Sequence, residues 1–260
     1  MHRFYCPNIS EINAKTDELI ILDGNEAHHA LNVLRLGIGD ALILLNGRGE
    51  EFLCKCDHIK KNKLALKVIE YKKNPPQDTQ IVLIQSIPKG RLIEYIIEKS
   101  IELGSNRIVP LITKRVVPNW GDSDKTKRID RWHQIIIGAI KQCGQTYLPQ
   151  IDEPTKLEDF LAKNEKFEMN LVCALTGETS HPRAHFDEFR KKYHRNPRSI
   201  CIWIGPEGDF TPEELTAIKS SGALPITLGK LVLRVETAAL CALSIINYEL
   251  NWAERKFNQI

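Results

Sequence analysis

The paired prolines Pro75-Pro76, within Lys72-Lys73-Asn74-Pro75-Pro76-Gln77-Asp78, constrain this chain more than any other feature. Proline fixes φ and has no backbone N–H, so two in succession fit neither a helix interior nor a central strand. The polar residues around them read as a linker, and the hydrophobic rhythm changes across it. Before the break, Ala41–Asn46, Glu51–Cys56 and Leu64–Tyr71 are short β-prone runs. Asn46-Gly47-Arg48-Gly49 separates the first two and predicts a hairpin turn, since its glycines tolerate positive φ. A helix is predicted over Glu26–Leu36. Residues 1–73 thus predict a small β-rich domain.

After the break the pattern becomes strand, helix, strand, helix. Ile81–Gln85, Arg107–Ile112, Met169–Ala174, Ser199–Ile204 and Leu224–Thr227 predict strands. Arg91–Leu103, Lys125–Gln142, Leu157–Lys163, the segment opened by Thr211-Pro212-Glu213-Glu214, and Glu236–Glu249 predict helices. Thr211 is placed as an N-cap, Pro212 at the first helical position, and Glu214 to close a capping box. Such alternation predicts an α/β domain over 78–260, a mostly parallel sheet with helices on both faces. The last helix is unusual. Ala238, Ala239, Leu240, Ala242, Leu243, Ile245 and Ile246 leave it almost no polar side, which predicts burial on several sides, by its own domain or by a second subunit.

Charge narrows the partners. Lys+Arg 36 against Asp+Glu 33 gives a net charge of +3, which excludes a uniformly basic nucleic-acid binder. Local clusters remain at Arg107–Arg131 and at Arg183–Arg198. The longest run without a charged residue, Thr237–Tyr248, is shorter than the roughly 18 apolar residues of a membrane span, and the N-terminus has no apolar signal-like region. The expectation is a cytoplasmic protein with no membrane contact. The seven cysteines include no C-x-x-C pair, so they read as reduced core residues, with no metal site. His28 and His29 are adjacent and diverge by about 100° on a helix, so they cannot jointly hold a metal.

Motifs for dinucleotides, nucleoside triphosphates, zinc proteases and serine hydrolases are all missing. Two loops at strand ends carry the chemistry instead. Ile204-Gly205-Pro206-Glu207-Gly208-Asp209-Phe210 follows a strongly apolar strand, where open α/β sheets bind ligands. Leu228-Gly229-Lys230-Leu231-Val232-Leu233-Arg234-Val235-Glu236-Thr237-Ala238 is hydrophobic for a connector and predicts a segment running under something. It would suit adenine or another flat apolar group.

GPEGDF followed by LGKLVLRVETAAL resembles the two signature loops of SPOUT (trefoil-knot) methyltransferases, in particular the family that methylates N3 of a uridine in small-subunit ribosomal RNA. EAHHALNVLRL and GIGDALILLNGRG resemble that family's PUA-like domain, and Lys89-Gly90-Arg91 with the segment ending Glu102-Leu103-Gly104 matches a further motif. The resemblance implies a PUA-like RNA-binding β-barrel over 1–73, and a SPOUT domain over 78–260 whose C-terminal segment threads an earlier loop. It implies a homodimer and an S-adenosylmethionine pocket lined by Leu175, Ile204, Gly205, Gly208, Leu228, Leu231, Leu233, Glu236, Thr237 and Ala238. Three positions depart from the family pattern: Asp209 stands where a second glycine is usual, Val235 replaces a threonine, and Gln145 replaces an arginine.

A uracil N3–H must be lost before N3 becomes a good nucleophile, and charge then spreads to O2 and O4. Arg234 is the expected partner of that charge, with Glu207 or Glu236 accepting the proton or orienting Arg234. N3 lies on the pairing edge, so the base must leave its helix. His28, His29, Arg35, Arg48, Lys89, Arg91, Lys114 and Arg115 are the expected RNA contacts, with ribosomal RNA or the small subunit as partner. The competing reading is a non-catalytic ribosome-assembly protein that keeps the fold, favoured by Asp209 and Gln145.

Overall fold

The computed structural model describes residues 1–15, 18–115, 122–175 and 177–257. The chain forms two compact units, Met1–Pro76 with Ile137–Leu148, and Gln77–Ile136 with Pro149–Ile260.

The first unit is built on a five-stranded sheet. Its strands are β1 (Arg3–Tyr5), β2 (Ile20–Leu22), β3 (Ala41–Leu45), β4 (Glu50–Lys60) and β5 (Lys63–Lys73), in the order β1-β3-β4-β5-β2. β1 runs parallel to β3 and the other pairs are antiparallel. Among the described residues no β1–β2 pairing closes the sheet into a barrel. In β4, Glu50, Phe52, Cys54 and Cys56 are buried at every second position, and the last three pack with Phe4, Leu42, Leu44, Leu64 and Leu66. The turn between β4 and β5 is Lys61-Asn62, both at positive φ, as a two-residue hairpin requires. Helix α1 (Glu11–Lys15) precedes β2. The helix predicted over Glu26–Leu36 is α2 (Gly24–His28) continued by one wider π turn (His29–Val33), and the chain leaves it at Arg35 with φ +55.

The Asn46–Gly49 turn is held from several sides. Asn46 Oδ1 accepts from Arg48 N–H at 2.8 Å and from Glu50 N–H at 3.2 Å. Arg48 Nη1 and Nη2 donate to the carbonyls of Pro7 and Ile9, at 2.7 and 2.9 Å. Gly49 sits at φ +89, and a Cβ there would lie 2.5 Å from the Tyr147 ring. That tyrosine belongs to the 137–148 segment, which joins this unit through Gly49 N–H to Thr146 O at 3.0 Å and a Lys141–Glu26 ion pair at 2.7 Å.

The second unit has a fully parallel sheet. Its strands are β6 (Gln80–Ser86), β7 (Arg107–Ile112), β8 (Gln150–Ile151), β9 (Thr155–Lys156), β10 (Met169–Cys173), β11 (Ser199–Ile204) and β12 (Leu224–Ile226). The order is β12-β10-β11-β6-β7-β8, with β9 also on β7. Helices α3 (Leu92–Glu102), α6 (Pro182–Tyr193) and α8 (Val235–Phe257) cover one face, where Ile96, Phe186, Ala239 and Leu243 meet Ile81, Leu171 and Ile202. Helices α5 (Leu157–Ala162) and α7 (Pro212–Ser220) cover the other through Phe160, Leu215 and Ile218. The long α4 (Asp122–Cys143) follows β7, and its last turns lie in the first unit. The Thr211 capping box forms as its sequence requires.

Strand β12 explains the chain path. Ala174 N–H donates to Ile226 O at 3.2 Å, while Ser180 N–H donates to Pro225 O and Thr227 N–H to Ser180 O, both at 3.1 Å. The final strand is therefore flanked by the start and the return of one loop, which crosses it. After β12, α8 packs against α3, α6 and β11.

Two sequence expectations change. Helix α6 was visible only as a charge cluster, because Arg183, Arg190, Lys191 and Lys192 outweigh its buried Phe186 and Phe189. Helix α8 buries Ala239, Ala242, Leu243 and Ile246 in its own domain, as expected, and leaves Thr237, Ser244 and Tyr248 as an exposed stripe at helical spacing. Cys143 is exposed, although Cys54, Cys56 and Cys201 are core residues as expected. Among the described residues no helix is long and apolar enough to cross a membrane, and no cluster of metal ligands occurs.

Candidate active site

The connections leaving β10, β11 and β12 meet around a cavity of about 620 Å³. Cys173–Leu175, Ile204–Glu207 and Ile226–Glu236 supply most of its wall, and Leu92 of α3 closes one side. All three connections leave carboxyl ends of parallel strands, where the sheet can splay and backbone groups become available to a ligand. Residues 228–233 belong to no helix or strand, so their N–H and C=O groups lie outside any ladder. Apolar walls with backbone polar groups suit a flat heterocycle carrying hydrogen-bonding edges.

Close contacts shape the second connection. A Cβ on Gly205 would lie 2.9 Å from Asp209 Oδ1 and 3.2 Å from Phe210 N, so any other residue displaces backbone. Asp209 adopts φ +61, the left-handed conformation in which its glycine counterpart would cost nothing. Its carboxylate offsets that cost. Phe210 N–H donates to Oδ1 at 2.8 Å and Leu175 N–H donates to Oδ2 at 3.2 Å, which joins the β10 and β11 connections. Arg115 Nη1 donates to the Asp209 carbonyl at 3.2 Å. Lys89 N–H donates to Glu207 Oε1 at 2.9 Å. Behind the rim, buried Glu214 accepts from Lys114 N–H and Thr211 N–H, each at 2.8 Å. Burial pushes the Cys173 thiol well above its ordinary range, so it serves as an uncharged apolar wall.

Eight of the expected cofactor residues line the cavity: Leu175, Ile204, Gly205, Leu228, Leu231, Leu233, Glu236 and Ala238, joined by Glu207 and Arg234. Gly208 and Thr237 do not. Gly208 packs against Arg115, whose Cδ a Cβ would approach to 3.2 Å, and Thr237 lies on the exposed stripe of α8. The hydrophobic connector does not run under other chain either. Leu231 and Val232 are 81% and 76% exposed. Sequence reasoning missed Leu92, Cys173, Thr179 and Asp209 as wall residues. The spacing of Leu92 places it on a core-facing helix stripe, and the only signal at Asp209 is its departure from glycine.

A family model described as an RNA methyltransferase domain matches residues 75–247, and one described as an RNA methyltransferase PUA domain matches 22–69. The chain belongs to the RNA methyltransferase family. Its relatives include the ribosomal RNA small subunit methyltransferase E of Rickettsia conorii, 30% identical over 89% of this chain and 90% of that protein. The protein of the same name from Bacillus subtilis is 29% identical over 88% and 89%. A putative methyltransferase from Legionella pneumophila, solved with S-adenosylmethionine, superposes with a TM-score of 0.83 at 31% identity, covering 95% of this chain and 97% of that one. The ribosomal RNA small subunit methyltransferase E of Neisseria gonorrhoeae, also bound to S-adenosylmethionine, gives 0.81 at 26% identity and the same coverage.

In this methyltransferase the basic residues singled out from sequence have different surroundings. His28, Arg35, Lys89, Arg91 and Lys114 are exposed. His29 is half-buried and meets Phe4 edge-on, with ring centres 6.0 Å apart. Arg48 lies at the surface, yet its guanidinium is committed to the Pro7 and Ile9 carbonyls, and Arg115 is partly committed to Asp209. Gln145 buries both side-chain polar atoms with no hydrogen-bond partner among the described residues.

Proposed function

We propose that this RNA methyltransferase transfers a methyl group from S-adenosylmethionine to N3 of a uridine in small-subunit ribosomal RNA. The observation that carries the reading is the cavity itself. Backbone-rich loops and the apolar Ile204, Leu228 and Leu233 would hold the adenosine, while Arg234 is exposed at the same wall. S-adenosylmethionine supplies an electrophilic methyl group when bound. The donor set fits it, because a volume of about 620 Å³ suits a ligand of that size.

Arg234 cannot lose its charge at physiological pH, so it can hold a uracil carbonyl oxygen and stabilise the anion as N3 is deprotonated. Its own carbonyl accepts Ala238 N–H at 2.8 Å, which fixes its backbone at the start of α8. Glu207 is committed through Oε1 to the Lys89 amide and is assigned to positioning the 87–90 segment at the rim. Glu236, half-buried on the cavity wall, is the carboxylate left to accept the proton. The N-terminal unit supplies RNA grip through His28, Arg35 and their neighbours, and Lys89, Arg91 and Lys114 serve the second unit. The exposed Leu231 and Val232 and the α8 stripe support a homodimer, since large apolar residues at a rim mark a surface that is covered in use. Ribosomal RNA as substrate and a cytoplasmic location go together.

The test is methyl transfer to small-subunit RNA followed by mass mapping of the modified base. Arg234→Ala should lower turnover at saturating RNA by about 100-fold or more with cofactor binding intact, the scale of losing a preorganised charge partner. Near-normal turnover removes Arg234 from the reaction, and a methyl at another atom removes the uridine-N3 assignment.

A further inference from the structure

The basic cluster at Arg183–Arg198 is not absorbed by the cavity. Arg183 starts α6 near the cavity end, but the part from Arg190 to Arg198 lies at the amino end of β11, and β11 is six residues long. That part and the cavity are therefore about 20 Å apart along the strand. Two of its arginines are structural. Arg190 pairs with buried Glu249 at 3.0 Å, and Arg195 grips Glu168 through both nitrogens at 2.7 and 2.8 Å. That grip, with Arg198 N–H also on Glu168, holds the Glu168 carboxyl down at about 2.

These contacts make the loop after α6 rigid. Asn196 accepts from Arg190 Nε at 3.0 Å and donates to Leu250 O at 3.3 Å, Thr79 Oγ1 donates to Pro197 O at 2.7 Å, and Gln80 N–H donates to Arg198 O at 2.8 Å. What the loop displays is different. Lys191, Lys192, His194 and Arg198 are exposed, and among the described residues none of their side chains forms an ion pair with a carboxylate. Tyr193 is 47% exposed between them, with Lys192 Nζ 5.1 Å and Arg195 Cζ 5.8 Å from its ring centre. The Tyr193 ring rests on Phe189, with ring centres 4.6 Å apart, and its other atoms face solvent beside these cations. The helix dipole accounts for cations in the last turn of α6, but not for Arg198 beyond it or for a half-exposed aromatic among them.

We infer that Lys191, Lys192 and Arg198 form a second RNA-backbone contact, with Tyr193 as a stacking platform for one base, on the sheet end opposite the cofactor cavity. Fixed backbone, exposed cations and an interleaved aromatic are the elements of sequence-tolerant RNA binding. An RNA that fills the cavity and reaches this patch must extend about 20 Å or more along the domain, so the contact favours a large, folded RNA over a short fragment. The inference rests on the RNA methyltransferase reading above.

The test uses the full chain. Binding of a small-subunit ribosomal RNA fragment is measured by anisotropy across a salt series for the parent, for K191A/K192A/R198A, and for Tyr193→Ala. The triple variant should lower the slope of log affinity against log salt by about 2 to 3, near 0.7 to 0.9 for each lost contact. Tyr193→Ala should weaken binding about 5- to 150-fold with the slope retained. The K191R/K192R variant should bind as the parent does. Calorimetric binding of S-adenosylmethionine and thermal unfolding, both unchanged, exclude a folding defect. Parent-like slope and affinity in the triple variant overturn the inference, as does a loss confined to a ribosomal protein or to anionic lipid vesicles. Absence of methyl transfer by the parent would instead defeat the proposed function, and the binding series still decides the patch.

Discussion

Asp209 offers the sharpest perturbation. Where the sequence resemblance leads one to expect a glycine, an aspartate holds φ +61. A non-glycine residue in that conformation costs about 1 kcal/mol. Against this stand two charge-assisted hydrogen bonds, from Phe210 N–H and Leu175 N–H. Each contributes about 1 kcal/mol at a half-exposed site, below the range for buried charged groups. Asp209→Gly loses both bonds and relieves the backbone, for a net loss of about 1 kcal/mol. Asp209→Ala loses both bonds and keeps the backbone cost, for about 2 kcal/mol. The two variants should therefore differ in Tm by about 2 to 4 °C, the shift that 1 kcal/mol gives in a unit of this size. Calorimetry with S-adenosylmethionine reads the functional half. Leu175 lines the cavity, so releasing its amide should raise Kd several-fold in both variants, with Asp209→Asn intermediate because one acceptor survives. Equal Tm values for the glycine and alanine variants would refute the left-handed cost. Parent-like Kd values in both would show that the Leu175 tie does not shape the cavity.

Other sites give independent expectations. Gly49→Ala places a Cβ 2.5 Å from the Tyr147 ring at φ +89, and urea unfolding should show a loss of at least about 2 kcal/mol. Arg48→Ala should lower stability by about 1 to 2 kcal/mol through the lost Pro7 and Ile9 contacts, while Arg35→Ala should instead lower RNA affinity and its salt slope without moving Tm. Acid titration should reveal Glu168. Its folded-state value, near 2, is depressed from 4.5, so its contribution is present above about pH 4.5 and disappears as pH falls toward 2. Glu168→Gln should remove that segment of the acid unfolding curve, and an unchanged curve would show the Arg195 pair to be without energetic weight.

Much of the fold was legible because its signals are local. Apolar runs such as Ser199–Ile204 read as buried strands, the Thr211–Glu214 box marked a helix start, and Asn46–Gly49 marked a hairpin, all of which form. The short β1 and β2 were not legible, since three residues of strand carry no period that distinguishes them from a loop. Neither was the return of residues 137–148 to the first unit, because it depends on Tyr147 filling the space beside Gly49 across a long sequence separation. The cavity was legible as two loops, and its third wall at Cys173–Leu175 was named only through Leu175. Its tie to Asp209 joins residues 34 apart and leaves no pattern in either segment.

The exposed connector bears on the proposed homodimer. Leu231 and Val232 stand among the most exposed large apolar residues of the chain, at the rim of the cavity rather than beneath it. Burying two such side chains is worth about 3 to 5 kcal/mol in transfer terms, so a surface that covers them, beside the half-buried Leu228 and Leu233, gains that much. A bound adenosine covers atoms facing the cavity. It cannot cover Thr237, Ser244 and Tyr248 along α8, which continue outward from the same loop. A second copy of the chain can cover both, and assembly would then complete the rim of each cavity. On that account Leu231→Asp together with Tyr248→Asp should give monomers by analytical ultracentrifugation and weaken cofactor binding in the same samples. Monomers that bind S-adenosylmethionine as the parent does would separate the two surfaces and leave the rim complete within one chain.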